Sequence, residues 1–128
     1  MPEDKSIRRV HPEHSAAPAE MFDGHVEFAS VHRDEGAGVN QSHVHFHDGA
    51  HTHWHYHERG QVLYFTEGRG FAQELGGEVL PCDAGDIIEV PDHTRHIHGA
   101  MPGENAAHIA ISQGETIWDH DPRYSADN

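Results

Sequence analysis

Residues 51–61 read HTHWHYHERGQ, with a histidine at every second position from 51 to 57 and a glutamine at 61. Alternate side chains of an extended strand share a face, so His55 and His57 are expected to point the same way and to share one ion. Gln61 follows the turn signal of Glu58–Gly60 and can bring its side-chain oxygen to the same spot. The stretch therefore predicts a metal-binding strand, with a polar cluster without metal as the alternative.

A second stretch, GDIIEVPDHTRHIHG at residues 85–99, supplies a third imidazole. Gly85, Pro91 and His96 have the spacing of a strand, a tight turn and a second strand that carries a ligand. Three imidazole nitrogens and one amide oxygen suit a borderline divalent ion and leave positions open for substrate or water. The two stretches together predict a single metal site with an open side.

The rest of the chain alternates between short strand patterns and turn signals. Strands are predicted at 25–30, 39–47, 61–67, 71–75, 86–91, 95–100 and 107–112. Turns are predicted at Asp48-Gly49, Arg59-Gly60, Glu67-Gly68, Gly76-Gly77, Ala84-Gly85 and Pro102-Gly103. Many short strands in one small chain predict an all-β fold, an antiparallel β-sandwich or barrel. Residues 1–20, rich in proline, alanine and charge, are predicted to form an N-terminal arm before a domain at 21–128.

The composition restricts the partners and the compartment. The 128 residues carry 22 acidic and 8 basic side chains, a formal net charge of −14, which disfavours nucleic acid and anionic membranes. No apolar run approaches the roughly 20 residues of a membrane helix, and the N-terminus lacks a secretory pattern. The single cysteine, Cys82, fits a reducing compartment, so a cytoplasmic location is expected. Lys5 is the only lysine, and such a lysine-poor acidic surface favours a halophilic source, with an ordinary acidic cytosolic protein as the alternative.

The histidine-bearing stretches resemble the two motifs of the cupin family. GAHTHWHYHERGQVLYFTEG (49–68) is similar to the first motif and GDIIEVPDHTRHIHG to the second, with 16 residues between 69 and 84 as the variable segment. WHYHERGQVLYFTEGRG (54–70), HIHGAMP (96–102) and AHIAIS (107–112) more narrowly resemble a group of small single-domain cupins. That group includes manganese-dependent hydroxynitrile lyases and proteins labelled carboxymuconolactone-decarboxylase-like. The resemblance implies a jelly-roll cupin barrel and a homodimer.

The same resemblance implies a metal-ligand set of His55, His57, Gln61 and His96, holding one divalent ion per subunit. Manganese is the expected metal, with iron, nickel, zinc or copper as alternatives. Most cupins have glutamate at the position of Gln61, whereas the narrower group has glutamine. A neutral amide leaves the ion a stronger Lewis acid and less suited to high oxidation states, which argues against a dioxygenase.

Two further residues match the lyase group in the resemblance. His108 corresponds to a histidine near the metal that would exchange a proton with the substrate hydroxyl, and Thr52 to a residue that would hydrogen-bond the leaving group. A buried structural histidine with no catalytic task is the alternative for His108. The expected substrate pocket comprises Ser42, Val44, Phe46, His98 and Ser112.

The other histidines are expected to lie around these elements. His43, His45 and His47 alternate with the pocket-facing residues and should face outward, to solvent or another subunit, with an adventitious second metal site as the alternative. Strict alternation would put His51 and His53 on the face of His55, at the rim of the metal site, with His53 the nearer to the ion.

The sequence thus predicts a cupin that acts on a small molecule, most specifically a metal-dependent lyase of the hydroxynitrile type. A metal-dependent dioxygenase, a sugar-acid isomerase or hydrolase, and a non-catalytic metal or ligand sensor are the alternatives. The fold hosts all of these functions, so it cannot choose among them.

Overall fold

The computed structural model describes residues 6–34 and 36–126 of the chain. Within this part the chain forms ten strands and one short helix, so the predicted all-β fold is confirmed. In chain order these are β1 (Ser15–Ala16), β2 (Phe22–Asp34), β3 (Val39–Thr52), β4 (His55–His57), β5 (Gln61–Glu74), β6 (Val79–Asp83), β7 (Ile87–Val90), β8 (His96–Ala100), β9 (Ala106–Gln113), β10 (Thr116–Trp118) and α1 (Pro122–Ala126).

The strands pair antiparallel in the order β1-β2-β3-β9-β5-β8-β4-β10, with β6 and β7 also paired to β5. The long strand β5 belongs to both sides of the molecule. Its first half, from Gln61 to Gly68, pairs with β7 and β9, and its second half, Gly70–Glu74, pairs with β8. A further pairing of β3 with β8 links the two sides again, which gives the barrel-like closure expected of a jelly roll.

The apolar core consists of two clusters. One contains Val26, Val44, Phe46, Ala50, Ala100 and Ala106, and the other contains Leu63, Phe65, Ala72, Cys82 and Ala110. The side chain of His108 lies between them, since the rings of Phe46 and Phe65 each lie 5.1 Å from its own. The interior is therefore apolar on two sides and lined with imidazoles between them.

Strand β3 presents its residues as its pattern predicts. Val44 and Phe46 are buried, and the alternating His43, His45 and His47 lie partly exposed on the opposite face. The outward orientation of these histidines is thereby confirmed.

Two of the six predicted turns are wrong. Asp48-Gly49 lies inside β3, and Glu67-Gly68 lies inside β5, which joins two predicted strands into one. Gly68 has a φ of +74° beside a shift of register between Phe65 and Glu67, and a Cβ there would lie 2.0 Å from the carbonyl oxygen of Asn105. Glycine at this position permits a bulge against a neighbouring backbone within a continuing strand. The other four signals do form turns.

The end of the predicted N-terminal arm takes part in the sheet. Ser15 and Ala16 pair with Phe28 and Glu27 of β2, and Ala17 packs against the first core cluster. Strands β6 and β10 and the helix were not anticipated from the sequence. Among the described residues, no helix has the length and apolar character needed to cross a membrane.

Candidate metal centre

Three strands bring the predicted ligands together. His55 of β4 is paired with His96 of β8, and their ring centroids lie 4.3 Å apart. The ring of His57 lies 4.9 Å from that of His55 and 5.5 Å from that of His96. Gln61 begins β5 with its Oε1 3.0 Å from Nε2 of His96. The four residues predicted from the two motifs therefore form one buried cluster.

A two-residue break in the strand pattern explains why His51 and His53 do not join this cluster. Strand β3 ends at Thr52 and β4 begins at His55, so Thr52 and His55 both face inward although they are three residues apart. Nδ1 of His53 lies 3.0 Å from the carbonyl oxygen of Glu20, and Nδ1 of His51 lies 2.8 Å from the carbonyl oxygen of Thr52. Only the backbone carbonyl of His53 reaches the cluster, where it accepts a hydrogen bond from His55.

The ring orientations of the clustered histidines are fixed through Nδ1. His55 Nδ1 donates a hydrogen bond to the carbonyl oxygen of His53, and His96 Nδ1 donates one to that of Thr94; each donor–acceptor distance is 2.8 Å. Because a carbonyl oxygen only accepts, these hydrogen bonds leave Nε2 of a neutral imidazole as a lone-pair donor. His57 Nδ1 is held by the Thr116 hydroxyl at 2.9 Å. Nε2 is therefore the available ligand atom on His55 and His96, and Nε2 is also the nitrogen that Thr116 leaves unoccupied on His57, as in protein metal sites where Nδ1 is anchored.

The free atoms of the cluster fit a cation. Nε2 of His57 is buried without a hydrogen-bond partner among the described residues. The amide nitrogen of Gln61 donates to the Ser112 hydroxyl, so its Oε1 faces Nε2 of His96, and both of these atoms are acceptors. Two acceptors 3.0 Å apart repel each other unless a cation lies near both, and imidazole nitrogens with an amide oxygen suit a borderline divalent ion.

Burial keeps these imidazoles in the form that binds metal. Desolvation, with the nearby His96 as a smaller cause, lowers the pKa of His57 to about 3. Desolvation likewise lowers the pKa of His96 to about 4, and it holds the pKa of His55 well below 6.5. The three rings are therefore neutral near pH 7 and need not lose a proton to bind an ion.

His98 and His108 form a second pair of imidazoles beside the cluster. His98 Nδ1 lies 2.9 Å from His108 Nε2, while Nε2 of His98 and Nδ1 of His108 are buried and have no hydrogen-bond partner within residues 6–34 and 36–126. Burial lowers the pKa of His108 to about 3 and holds that of His98 well below 6.5. One ring nitrogen each of His55, His96 and His98 lie within 4.8 Å of one another, so this triad could also hold a metal ion.

A cavity of about 640 Å³ opens onto both groups. Six of the seven predicted pocket and catalytic residues line this cavity: Ser42, Val44, Thr52, His98, His108 and Ser112. Phe46 does not reach the cavity, because its ring lies behind His98 and His108 in the core, 6.2 and 5.1 Å from their rings. His96 likewise contributes no wall, although His55, His57 and Gln61 do.

The sequence did not single out several residues of the cavity wall. The ring of Trp118 lies 4.4 Å from that of His55, tilted by 31°, and Asn40 has a buried Oδ1 with no hydrogen-bond partner in the described part of the chain. Thr116, the residue that orients His57, follows the last predicted strand. Asn40 could have been found, because it shares the face of Ser42 and Val44, whereas Thr116 and Trp118 depend on a long-range pairing of β10 with β4.

Comparison with known sequences supports this geometry. The family model described as a cupin domain matches residues 42–112. The chain is 37% identical over 109 residues to a protein named (R)-mandelonitrile lyase from Granulicella tundricola, covering 84% of this chain and 83% of that protein. It is 49% identical over 45 residues to a protein named acireductone dioxygenase from Synechococcus sp., which is 33% of this chain and only 24% of that protein.

Known structures show the same fold. A cupin-like protein from Thermotoga maritima has a TM-score of 0.80 and 35% identity over 87% of this chain and 88% of its own. An acetylacetone dioxygenase from Acinetobacter johnsonii has a TM-score of 0.73 at 14% identity over 91% of this chain and 80% of its own, which is a likeness of fold alone. The family match extends over more than half of the chain and includes the four clustered residues. The chain belongs to the cupin family.

Proposed function

We propose that this protein is a metal-dependent lyase that cleaves a hydroxynitrile into a carbonyl compound and cyanide. The observation that carries the proposal is the buried cluster of anchored imidazoles beside a cavity that also exposes His108 and Thr52. Support comes from the relative named (R)-mandelonitrile lyase, which aligns over most of both chains.

His55, His57, Gln61 and His96 are the residues that would hold the ion. His57 is proposed rather than His98 because it alternates with His55 on β4 at the spacing of the first motif, and because His98 is assigned below, with His108, to carry the hydroxyl proton. A bound divalent ion, with manganese proposed, would supply Lewis acidity toward the substrate hydroxyl. The neutral Gln61 keeps the charge of the site high and so favours this role over redox chemistry.

His98 and His108 can take up the hydroxyl proton. One shared proton lies between His98 Nδ1 and His108 Nε2, so a neutral pair has one protonated and one free outer nitrogen. The free outer nitrogen accepts the proton as the bond between the carbinol carbon and the cyanide carbon breaks. The electron pair of that bond leaves with cyanide, which then receives a proton from the imidazolium.

We assign Thr52 to assist the departing cyanide. Its hydroxyl oxygen accepts a hydrogen bond from the backbone N–H of His98 at 3.2 Å. The hydroxyl proton is therefore directed elsewhere, and the side chain lines the cavity with only 1% of its surface exposed. A donated hydrogen bond would stabilise the negative charge on the leaving group.

The apolar walls suit an aromatic substrate. Phe22, Phe28 and Trp118 line the cavity together with the polar groups. An aryl ring buried against them would orient the hydroxyl and nitrile toward the imidazoles and exclude water.

The test is benzaldehyde release from mandelonitrile by Mn²⁺-loaded protein, followed by absorbance. Mildly acidic buffer limits spontaneous decomposition, and high salt matches the acidic surface. His96→Ala is the inactive control, and His45→Ala, a histidine on the outer face, is the matched active control. Equal rates for wild type and His96→Ala, at equal protein concentration, would refute the lyase proposal.

A metal-dependent dioxygenase is the second candidate, because short segments match acireductone dioxygenases at 45% identity or more. Oxygen uptake by Fe²⁺-loaded protein with a diketone-type substrate tests this function. The lyase proposal predicts none, since the neutral Gln61 does not favour a higher oxidation state.

We also propose that the chain forms a homodimer. Tyr64 and Ile87 are paired across β5 and β7, with Val62 on the same face, and all three are exposed. Such an apolar row is typical of subunit contacts. Light scattering gives the molar mass, and Tyr64→Glu should yield a monomer if this face is the contact. A dimer that persists in Tyr64→Glu would place the contact elsewhere.

A further inference from the structure

A second group of imidazoles lies on the outer face of β2 and β3, away from the cavity. His43 and His45 occupy alternate positions on β3, and their ring centroids are 4.7 Å apart. Across the ladder, His45 is paired with Glu27 and His43 with Ala29. Neither imidazole is used by the proposed lyase, because the opposite face of the same strand forms the cavity wall.

The N-terminal arm brings a third imidazole to this face. Ser15 and Ala16 pair with β2, which places the preceding residue, His14, over β3. His14 Nε2 lies 3.1 Å from His43 Nδ1, and the His14 ring centroid lies 5.1 Å from that of His43 and 5.2 Å from that of His45. One ring nitrogen from each of the three residues lies within 4.8 Å of the other two.

We propose that His14, His43 and His45 form a second metal site for a borderline divalent ion such as Zn²⁺. Three imidazoles leave a fourth tetrahedral position for water, an arrangement that zinc and its neighbours accept readily. The strongly negative net charge of the chain adds a general attraction for cations.

The neighbouring group on the same face is a poorer set of ligands. It consists of His25, Glu27 and His47, and Nε2 of His47 is already hydrogen-bonded to the Glu27 carboxylate at 3.0 Å. The stacked rings of His25 and His47 lie 4.3 Å apart, nearly parallel at 19°. His14 Nε2 and His43 Nδ1 also contact each other, at 3.1 Å, but both belong to imidazoles, so an ion bound there breaks no pair with a carboxylate.

An ion at this site would tie the arm to the barrel. His14 lies seven residues before Met21, and Ala17 between them packs against the core. Pro18 and Met21 form part of the cavity wall. Because β1 has only two residues, a metal bridge from His14 to β3 would add a second attachment for this wall segment.

The test compares wild-type protein with His14→Ala and His43→Ala, and uses His11→Ala as the control because His11 is an exposed histidine on the same arm. Each protein is dialysed against micromolar Zn²⁺, and bound zinc per chain is measured by mass spectrometry of the metal. The proposal predicts one ion fewer per chain in His14→Ala and in His43→Ala, and no loss in His11→Ala. Any ion in the interior cluster is common to all four proteins and cancels in the difference.

Hydrogen exchange of the arm gives an independent readout that does not depend on lyase activity. Zn²⁺ should slow exchange at residues 15–17 at least tenfold in wild type and leave His14→Ala unchanged. Equal zinc content in wild type and His14→Ala, or equal protection of the arm, would overturn the proposal. Mandelonitrile cleavage should be retained in His14→Ala, so a failure of the lyase proposal is distinguishable from a failure of this one.

Discussion

The His55–His57 pair of β4 and the His43–His45 pair of β3 have the same spacing in the sequence but opposite surroundings. The first pair is buried, and each Nδ1 is held by a carbonyl or hydroxyl oxygen. The second pair is partly exposed, and Nδ1 of His43 lies against another imidazole nitrogen, Nε2 of His14, in place of a carbonyl or hydroxyl oxygen. The difference shows that alternation of histidines sets which side chains share a face. Burial and anchoring of Nδ1 then decide which pair is organised before an ion arrives.

The largest expected effect is a difference in metal binding and reaction rate between one substitution in the interior cluster and one on the outer face. His96→Ala should abolish interior metal binding and lower mandelonitrile cleavage by more than about 10³-fold, because a ligand is lost and its space is left empty. His45→Ala should leave the rate within about twofold of wild type, because its side chain lies on the outer face of β3, away from the cavity. The readouts are metal content and initial rate. A comparable loss of rate in both variants would remove the functional distinction between the regions.

The next effect concerns the proton carrier beside the interior cluster. His108→Ala should keep the interior ion and lower kcat about 10²-fold, a typical contribution of a positioned acid–base group. Metal content and kcat are measured on the same preparation, with His47→Ala on the outer face as the control. Intact kcat in His108→Ala would reduce this residue to a structural histidine between two phenylalanines.

A smaller effect is expected from the residue that anchors His57. Thr116→Val removes the hydroxyl that holds Nδ1 and should weaken metal binding about tenfold, as loss of such partners does in other metal sites. Competition with a chelator measures the affinity. Thr66→Val is the matched control, because its hydroxyl donates to the backbone carbonyl oxygen of Ala107 and holds no imidazole of the cluster. An unchanged affinity in Thr116→Val would mean that His57 is not a ligand.

Acid should destabilise the metal-free protein through the interior imidazoles. In the unfolded chain His57 and His96 take up protons below about pH 6.5, whereas in the folded protein their pKa values are about 3 and about 4. The stability that these two neutral imidazoles contribute is therefore fully present above pH 6.5. It is lost as the pH falls toward 4, by about 1.4 kcal/mol of unfolding free energy per pH unit for each histidine. Urea unfolding at several pH values measures the slope, which should fall by about one proton in His57→Asn. An unchanged slope would show that His57 is protonated in the folded state.

The sequence was sufficient for the barrel and the four clustered residues, because both depend on local patterns. Alternation on β3 placed Val44 inward and His43 outward, as the structure confirms. The two motifs also predicted that His55 and His96 share one site, and in the structure these residues are paired across two different strands.

The remaining features depend on contacts that no local pattern encodes. The break at residues 53–54 turns His53 away from His55, although strict alternation would align them. Gly68 has the appearance of a turn residue, but it allows close approach to Asn105 within a continuous strand. His14 reaches His43 across 29 residues through the short strand β1, which the arm's composition did not indicate.

The most direct test of the central claim is a crystal structure of the Mn²⁺-loaded protein with anomalous data collected at the manganese absorption edge. We predict an anomalous peak in contact with Nε2 of His55, His57 and His96 and with Oε1 of Gln61. A peak that is held by His98 in place of His57, or no peak in this cluster, would contradict the account.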